Sequence, residues 1–135
     1  MPEIQELSIA TRAKEEIMDI TTEISEIVSK SNVKEGSCIV YVPHATAAVT
    51  INENADENIA SDFLEALGKI APQGRWRHDK IDNNGAAHIK AAIIGPSVTI
   101  PIKDSRLVLG KWQGIMFCEF DGPRDRRIII KITRD

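Results

Sequence analysis

Gln113-Gly114-Ile115-Met116-Phe117-Cys118-Glu119-Phe120-Asp121-Gly122-Pro123-Arg124-Asp125-Arg126-Arg127-Ile128-Ile129-Ile130-Lys131-Ile132 is the stretch that sets the fold. Two runs rich in β-branched and large apolar residues, Gln113 to Phe120 and Arg127 to Ile132, flank Asp121-Gly122-Pro123, whose residues favour a turn. The pattern repeats just upstream, where Ser97 to Ile102 and Arg106 to Gly110 are separated by turn chemistry at Asp104-Ser105. Strands joined by such turns are expected to be antiparallel neighbours.

Towards the N-terminus, Glu3 to Thr11 alternates loosely, with Leu7 and Ile9 on one side and Glu6 and Ser8 on the other, as in a half-buried strand. Glu16 to Ile20 is a short second strand. From Thr22 the period changes: Ile20, Ile24, Ile27 and Val28 recur at helical spacing, Thr21 or Thr22 is placed to cap, and the helix should end before Gly36. Ser37 to Val42 is an apolar strand that stops at Pro43, which has no amide to donate, so His44 stands at a strand end. Ala47 to Ile51 resumes extended structure. Asn54-Ala55-Asp56-Glu57 opens the longest helix, with Ile59, Ala60, Phe63, Leu64, Leu67 and Ile70 as its buried stripe and Asn54 as a cap. Ala71 to Asn84 reads as a polar loop carrying Trp76 and His78. Asn83 or Asn84 then caps a helix that runs through His88 to Ile94 and stops at Gly95-Pro96. The order of elements predicts one α+β domain, helices packed on mostly antiparallel sheet.

Composition narrows the function. A chain of 135 residues, 42% hydrophobic and 27% charged, is ordinary for a soluble single domain. Its net charge of -3 argues against a general nucleic-acid binder. It has no apolar run near the ~18 residues of a membrane span and no leader-like N-terminus, so a cytoplasmic location is expected, with no membrane partner. Cys38 and Cys118 lie inside strand-like runs, where cysteine acts as a small buried hydrophobe.

All three histidines fall at element boundaries. His44, His78 and His88 are 34 and 10 positions apart, match no local zinc motif, and can meet only through the fold. Three imidazoles with one open position suit a catalytic zinc. The same residues also suit metal-free acid-base work, or plain hydrogen bonding at strand and helix ends. Asp82, Asn84, Glu53 and Glu119 could orient ligating imidazoles, although for each alone a cap or a solvated charge is the stronger reading. Arg124, Arg126 and Arg127 offer planar forks for phosphate, and helix starts at Asn54 and Asn84 could add backbone amides. Trp76 and Trp112 could stack a ring or fill a core.

Taken together, these residues resemble a known family. His44-Ala45-Thr46-Ala47-Ala48-Val49-Thr50-Ile51-Asn52-Glu53-Asn54, the loop from His78 to His88, Gly95-Pro96-Ser97, Gly110-Lys111-Trp112-Gln113, Glu119 and Asp121-Gly122-Pro123-Arg124 are similar, in order along nearly the whole chain, to the YjbQ-like family of secondary thiamine-phosphate synthase enzymes. The resemblance implies an α+β fold of antiparallel sheet with flanking helices, assembled as a homotrimer. It implies a weak reaction joining hydroxymethylpyrimidine diphosphate to thiazole phosphate, with a divalent metal, zinc, held by His44, His78 and His88. It further implies catalytic roles for those histidines and Glu119, and contacts to a phosphorylated substrate from Thr46, Glu53, Asn84, Lys111, Gln113 and Arg124. The chain departs from the family pattern twice: the usual Gly-Thr-Trp-Gln reads Gly110-Lys111-Trp112-Gln113, and Ser105 replaces the glycine usual in the preceding turn. Other function classes are a metal-dependent small-ligand-binding module with incidental catalysis and an interaction protein whose pattern builds the trimer.

Overall fold

The strands on either side of the Asp121 turn do not pair with each other. In the computed structural model, which describes residues 4–135, β7 (Gln113–Glu119) lies between β2 (Glu16–Asp19) and β4 (Ala47–Glu53) in a three-stranded sheet. The next strand, β8 (Asp125–Arg134), lies between β1 (Ile4–Ala10) and β3 (Gly36–Tyr41) in a five-stranded sheet completed by β5 (Ser97–Lys103) and β6 (Arg106–Leu107). Every pairing among the described residues is antiparallel, as expected, but the hairpin expected across Asp121-Gly122-Pro123 is a passage from one sheet to the other. Each of these two strands is central and finds both of its neighbours elsewhere in the chain. The Asp104-Ser105 turn does join paired strands, β5 and β6. Glu3, expected to start the first strand, lies outside the described residues.

The two sheets share one aliphatic core. Val40, Ile100, Ile128 and Ile130 from the larger sheet meet Val49, Ile115 and Phe117 from the smaller, with Ile24 and Val28 added by α1 (Thr21–Ser31). Alternation decides which side chains enter: along β8, Arg126, Ile128, Ile130 and Ile132 are buried while Arg127 and Lys131 face out. The reverse face of the smaller sheet is covered by helices. There Ala48, Cys118 and Phe120 pack with Leu67 of α2 (Glu57–Ile70) and with Ala87 and Ala91 of α4 (Gly85–Ile94). The result is three layers, with the smaller sheet in the middle. Both cysteines are free and buried, and burial pushes the Cys38 thiol up to about 11 and Cys118 to about 12.

Local starts and stops differ from expectation where a side chain found a distant partner. The cap position of α1 is Ile20, without a side-chain cap; Asp19, one residue earlier, accepts the Thr21 amide at 2.9 Å, and the helix ends at Asn32, whose φ is 59°. Asp56 caps α2 by accepting the Asn58 amide at 2.9 Å. Asn54, expected as that cap, instead donates to Asp19 at 2.9 Å and lies against Gly114, where an added Cβ would sit 2.6 Å from the Asn54 amide nitrogen. Ile70, expected in the buried stripe of α2, is 62% exposed. The supposed loop from Ala71 to Asn84 contains a short helix, α3 (Asp79–Asp82). No helix among the described residues is long and apolar enough to cross a membrane.

Candidate functional site

Where the chain passes between the sheets it buries charge. Glu119, the last residue of β7, is wholly inaccessible, and a carboxylate there needs several donors to remain ionised. It has them. Arg126 donates from Nε to Oε1 at 2.9 Å and from its terminal nitrogen to Oε2; Thr11 Oγ1 donates to Oε1 at 2.7 Å; and the Asp121 amide donates to Oε2 at 3.1 Å. Arg126 reaches on to Thr46 Oγ1 at 2.9 Å. Burial works to raise the Glu119 carboxyl, but the bonds from Arg126, Thr11 and the Asp121 amide outweigh it and hold the group below its ordinary value. The polar atoms of Glu119 and Thr46, expected at the chemistry, are engaged with Arg126, Thr11 and the Asp121 amide within the fold.

Asp121 collects a different set. Lys14 Nζ, Asn84 Nδ2 at 2.8 Å and an Arg124 terminal nitrogen at 3.0 Å converge on its carboxylate. The side chains of Lys14 and Arg124 are 54% and 55% exposed. Burial raises this carboxyl too, and the bonds from Lys14, Asn84 and Arg124 reverse the direction. The segment from Thr11 to Glu15 straps the turn in place: Gly122 donates its amide to the Lys14 carbonyl at 3.0 Å, and an added Cβ at Gly122 would lie 2.3 Å from the Ala13 carbonyl oxygen. The strap ends at Glu15, which pairs with the buried Lys90 of α4 at 2.6 Å.

Asp79 organises the third part. Its carboxylate accepts the Trp76 amide at 3.0 Å and the Gly85 amide at 2.8 Å, bonds that hold it below the ordinary aspartate range. It therefore caps α4, while Asn84, which stands at the cap position, turns its side chain to Asp121 instead. Trp76 lies directly on Gly85, where a Cβ would come within 2.6 Å of the Trp76 Cβ, and its indole nitrogen donates to the Pro72 carbonyl at 2.8 Å. Between them the chain reverses at Asn83, with φ of 55°, and this sets the His78 and His88 rings edge to face, centroids 4.6 Å apart. His78 Nε2 is 3.7 Å from an Asp82 oxygen, too far for a hydrogen bond. Among the described residues, His78 Nε2 and Asn84 Oδ1 are the buried side-chain polar atoms with no hydrogen-bond partner.

His44 is held separately. Its Nε2 accepts the Arg127 amide at 3.0 Å, which requires an unprotonated nitrogen, and burial followed by the charge of Arg126 keeps its pKa below the usual histidine value. Among the described residues no group of three His, Cys, Asp or Glu side chains is placed to hold a metal ion. The expectation that His44, His78 and His88 meet is therefore not met within one chain: His44 is anchored at the start of β8, and the other two rings are set by the α3 to α4 reversal. Glu53, Lys111 and Gln113 are elsewhere again. Glu53 pairs with Gln113 at one end of the smaller sheet and Ala47 with Glu119 at the other. Six residues of strand separate these ends by ~20 Å. Gln113 Oε1 accepts the Gly110 amide at 2.8 Å, and Lys111 sits 5.0 Å above the exposed Trp112 ring.

The sequence reading did not single out Thr11, Lys14, Asp79 or Lys90, and it passed over Arg126 in favour of Arg124. One signal was available: Arg126 is in phase with Ile128, Ile130 and Ile132, which marks it as inward-facing.

Residues 5–135 match the family described as UPF0047 protein YjbQ-like. The chain belongs to the YjbQ-like UPF0047 family. It is 46% identical over 127 residues to a UPF0047 protein of Methanocaldococcus jannaschii, covering 94% of this chain and 91% of that one. It is 39% identical over 132 residues to the UPF0047 protein YugU of Bacillus subtilis, covering 96% and 98%. The crystal structure of a YjbQ/UPF0047 family protein from Clostridium acetobutylicum superposes with a TM-score of 0.92 at 44% identity, covering 96% of this chain and 99% of that one. A Sulfolobus solfataricus protein described as of unknown function gives a TM-score of 0.94 at 34% identity, covering 98% and 96%. This member has the family's α+β architecture over its described length.

Proposed function

We propose that the protein is a cytoplasmic secondary thiamine-phosphate synthase, joining hydroxymethylpyrimidine diphosphate to thiazole phosphate where Lys14, Arg124 and Asn84 surround Asp121. One observation carries this reading: two cations are gathered on one carboxylate with about half of each side chain open to solvent. In the reaction the bond between the pyrimidine methylene carbon and diphosphate oxygen breaks, both electrons leaving with diphosphate. The thiazole nitrogen lone pair then forms the new carbon–nitrogen bond. Negative charge grows on the leaving group, and a guanidinium and an ammonium already held in place can meet it without waiting for solvent to reorganise. Asn84 Oδ1 and His78 Nε2, both buried and unpartnered, can bind polar edges of the substrates. No proton moves in this balance, so the imidazoles contribute by binding and not as bases.

The homotrimer belongs to the same proposal. A zinc ion shared by His44, His78 and His88 does not fit a single chain, so it is proposed only for a trimer in which adjacent subunits supply the rings; no step above is routed through it. Light scattering at a monomer mass would remove the trimer. Metal content unchanged by His44→Ala, His78→Ala and His88→Ala would remove the shared ion.

The reaction is tested by supplying both substrates to purified protein and measuring thiamine phosphate, alongside rescue of a strain lacking its own thiamine-phosphate synthase. Product formation and rescue are expected, both lost in folded His88→Ala. Substrate binding without product would favour a small-ligand-binding module.

A further inference from the structure

We infer that the cleft containing Lys90, which shares Lys14 with the site proposed above, binds a small phosphate monoester; the inference rests on that reading for the class of ligand and on the cleft's own residues for its place. The cleft measures about 460 Å³ and is lined by Lys14, Glu15, Gln73, Asn83, Lys90 and Phe120 among others. That is the scale of a small-molecule pocket, ~300–1,000 Å³, and larger than one ion requires.

Lys90 is the reason to assign it a ligand. The residue is 6% exposed, a degree of burial lysine almost never reaches without a partner. Its partner is Glu15 at 2.6 Å, the acceptor its ammonium has among the described residues. An ammonium carries three N–H donors, so this bond leaves most of its capacity unused at the cleft wall. Lys90 stands between Ala87 and Ala91 of α4 and anchors the strap through Glu15, but that one bond engages a single donor of a charge that is costly to desolvate.

Charge points to an anion. Lys14 and Lys90 line the cleft with Glu15 as the carboxylate beside them, a local excess of one positive charge on a chain whose net charge is -3. Phosphate would use the free donors of Lys90 and draw Lys14 from the rim. Phe120 and Ala87 provide an apolar wall for the organic part. Gln73 and Asn83, also in the lining, are tied together by the Gln73 side chain donating to the Asn83 carbonyl at 3.0 Å.

The test is titration of isotope-labelled full-length protein with inorganic phosphate at constant ionic strength, followed by amide shifts. Saturable shifts centred on Gly68, Asn83, Ala87 and Lys90 are expected. Lys90→Met should weaken binding by ~tenfold or more, as expected for loss of a charge-assisted bond, and Lys90→Arg should keep it within ~threefold. Glu15→Gln should tighten phosphate binding several-fold, because it removes the anion that competes for the same ammonium. Unsaturable or scattered shifts in the parent protein, or unchanged affinity in Glu15→Gln, overturn the assignment even if Lys90→Met does not fold. None of these readouts requires synthase activity, so failure of that reaction and failure of this site are distinguishable.

Discussion

Glu119 and Asp121 are separated by a single residue, yet they hold their charge by opposite means. Glu119 is sealed among Arg126, Thr11 and a backbone amide, with no route to solvent. Asp121 is also buried, but two of its donors arrive from outside on side chains that remain half exposed. The inner cluster fastens the crossing between sheets, while the outer one leaves cations that a ligand can recruit. Burial of the carboxylate does not distinguish the two roles. Exposure of its partners does.

The largest expected effect breaks the inner cluster. Glu119→Ala leaves the Arg126 guanidinium, 4% exposed, without its counter-charge and should cost about 3–5 kcal/mol in urea unfolding. A loss under about 1 kcal/mol would show that water reaches Arg126 and that the contrast is false. Acid should act through the same group. The folded Glu119 carboxyl lies below its ordinary 4.5, so the unfolded chain takes up protons first as pH falls. The stability it contributes is present above about pH 4.5 and is lost below, and Glu119→Gln should flatten that part of the stability curve. Next in size is Gly85→Ala. The added methyl would meet the Trp76 Cβ at 2.6 Å, at a cost of about 1–3 kcal/mol, and should alter the edge-to-face signature of His78 and His88 in ring-proton spectra. Unaltered spectra would mean that Asp79 alone sets the reversal. The smallest effect lies far from both clusters: Ser105 has φ of 63°, so Ser105→Gly should shift the urea midpoint upward by at most about 1 kcal/mol of stability. A downward shift would show that the serine side chain does something the backbone does not require.

Much of the fold was legible because core alternation is a local property. The strands of both sheets, the stop at Gly95-Pro96 and the inward stripe of α1 follow from spacing alone. Strand partners do not. Asp121-Gly122-Pro123 is as compatible with a hairpin as with a crossing, and what selects the crossing is Thr11 meeting Glu119 and Arg124 across more than a hundred residues of sequence. The site was legible in the same uneven way. The family pattern led to Asn84, Arg124, His78 and His88, which the fold gathers near Asp121 or sets side by side. It also led to Glu53, Lys111 and Gln113, which belong to the far end of the smaller sheet, because a linear motif does not reveal which end of a strand it occupies. Lys14, Asp79 and Lys90 look like solvated charges in the sequence, and only the strap and the helix reversal give them partners.

The difference between inner and outer cations is tested most directly by Arg124→Ala, measured for unfolding midpoint and for thiamine phosphate formation in the same preparation. Arg124 is half exposed and Asp121 keeps Lys14 and Asn84 as donors when it is removed, so stability should fall by only about 1 kcal/mol while product formation falls by ~tenfold or more. Activity at the parent level, or a collapse in stability comparable to that of Glu119→Ala, would contradict the account.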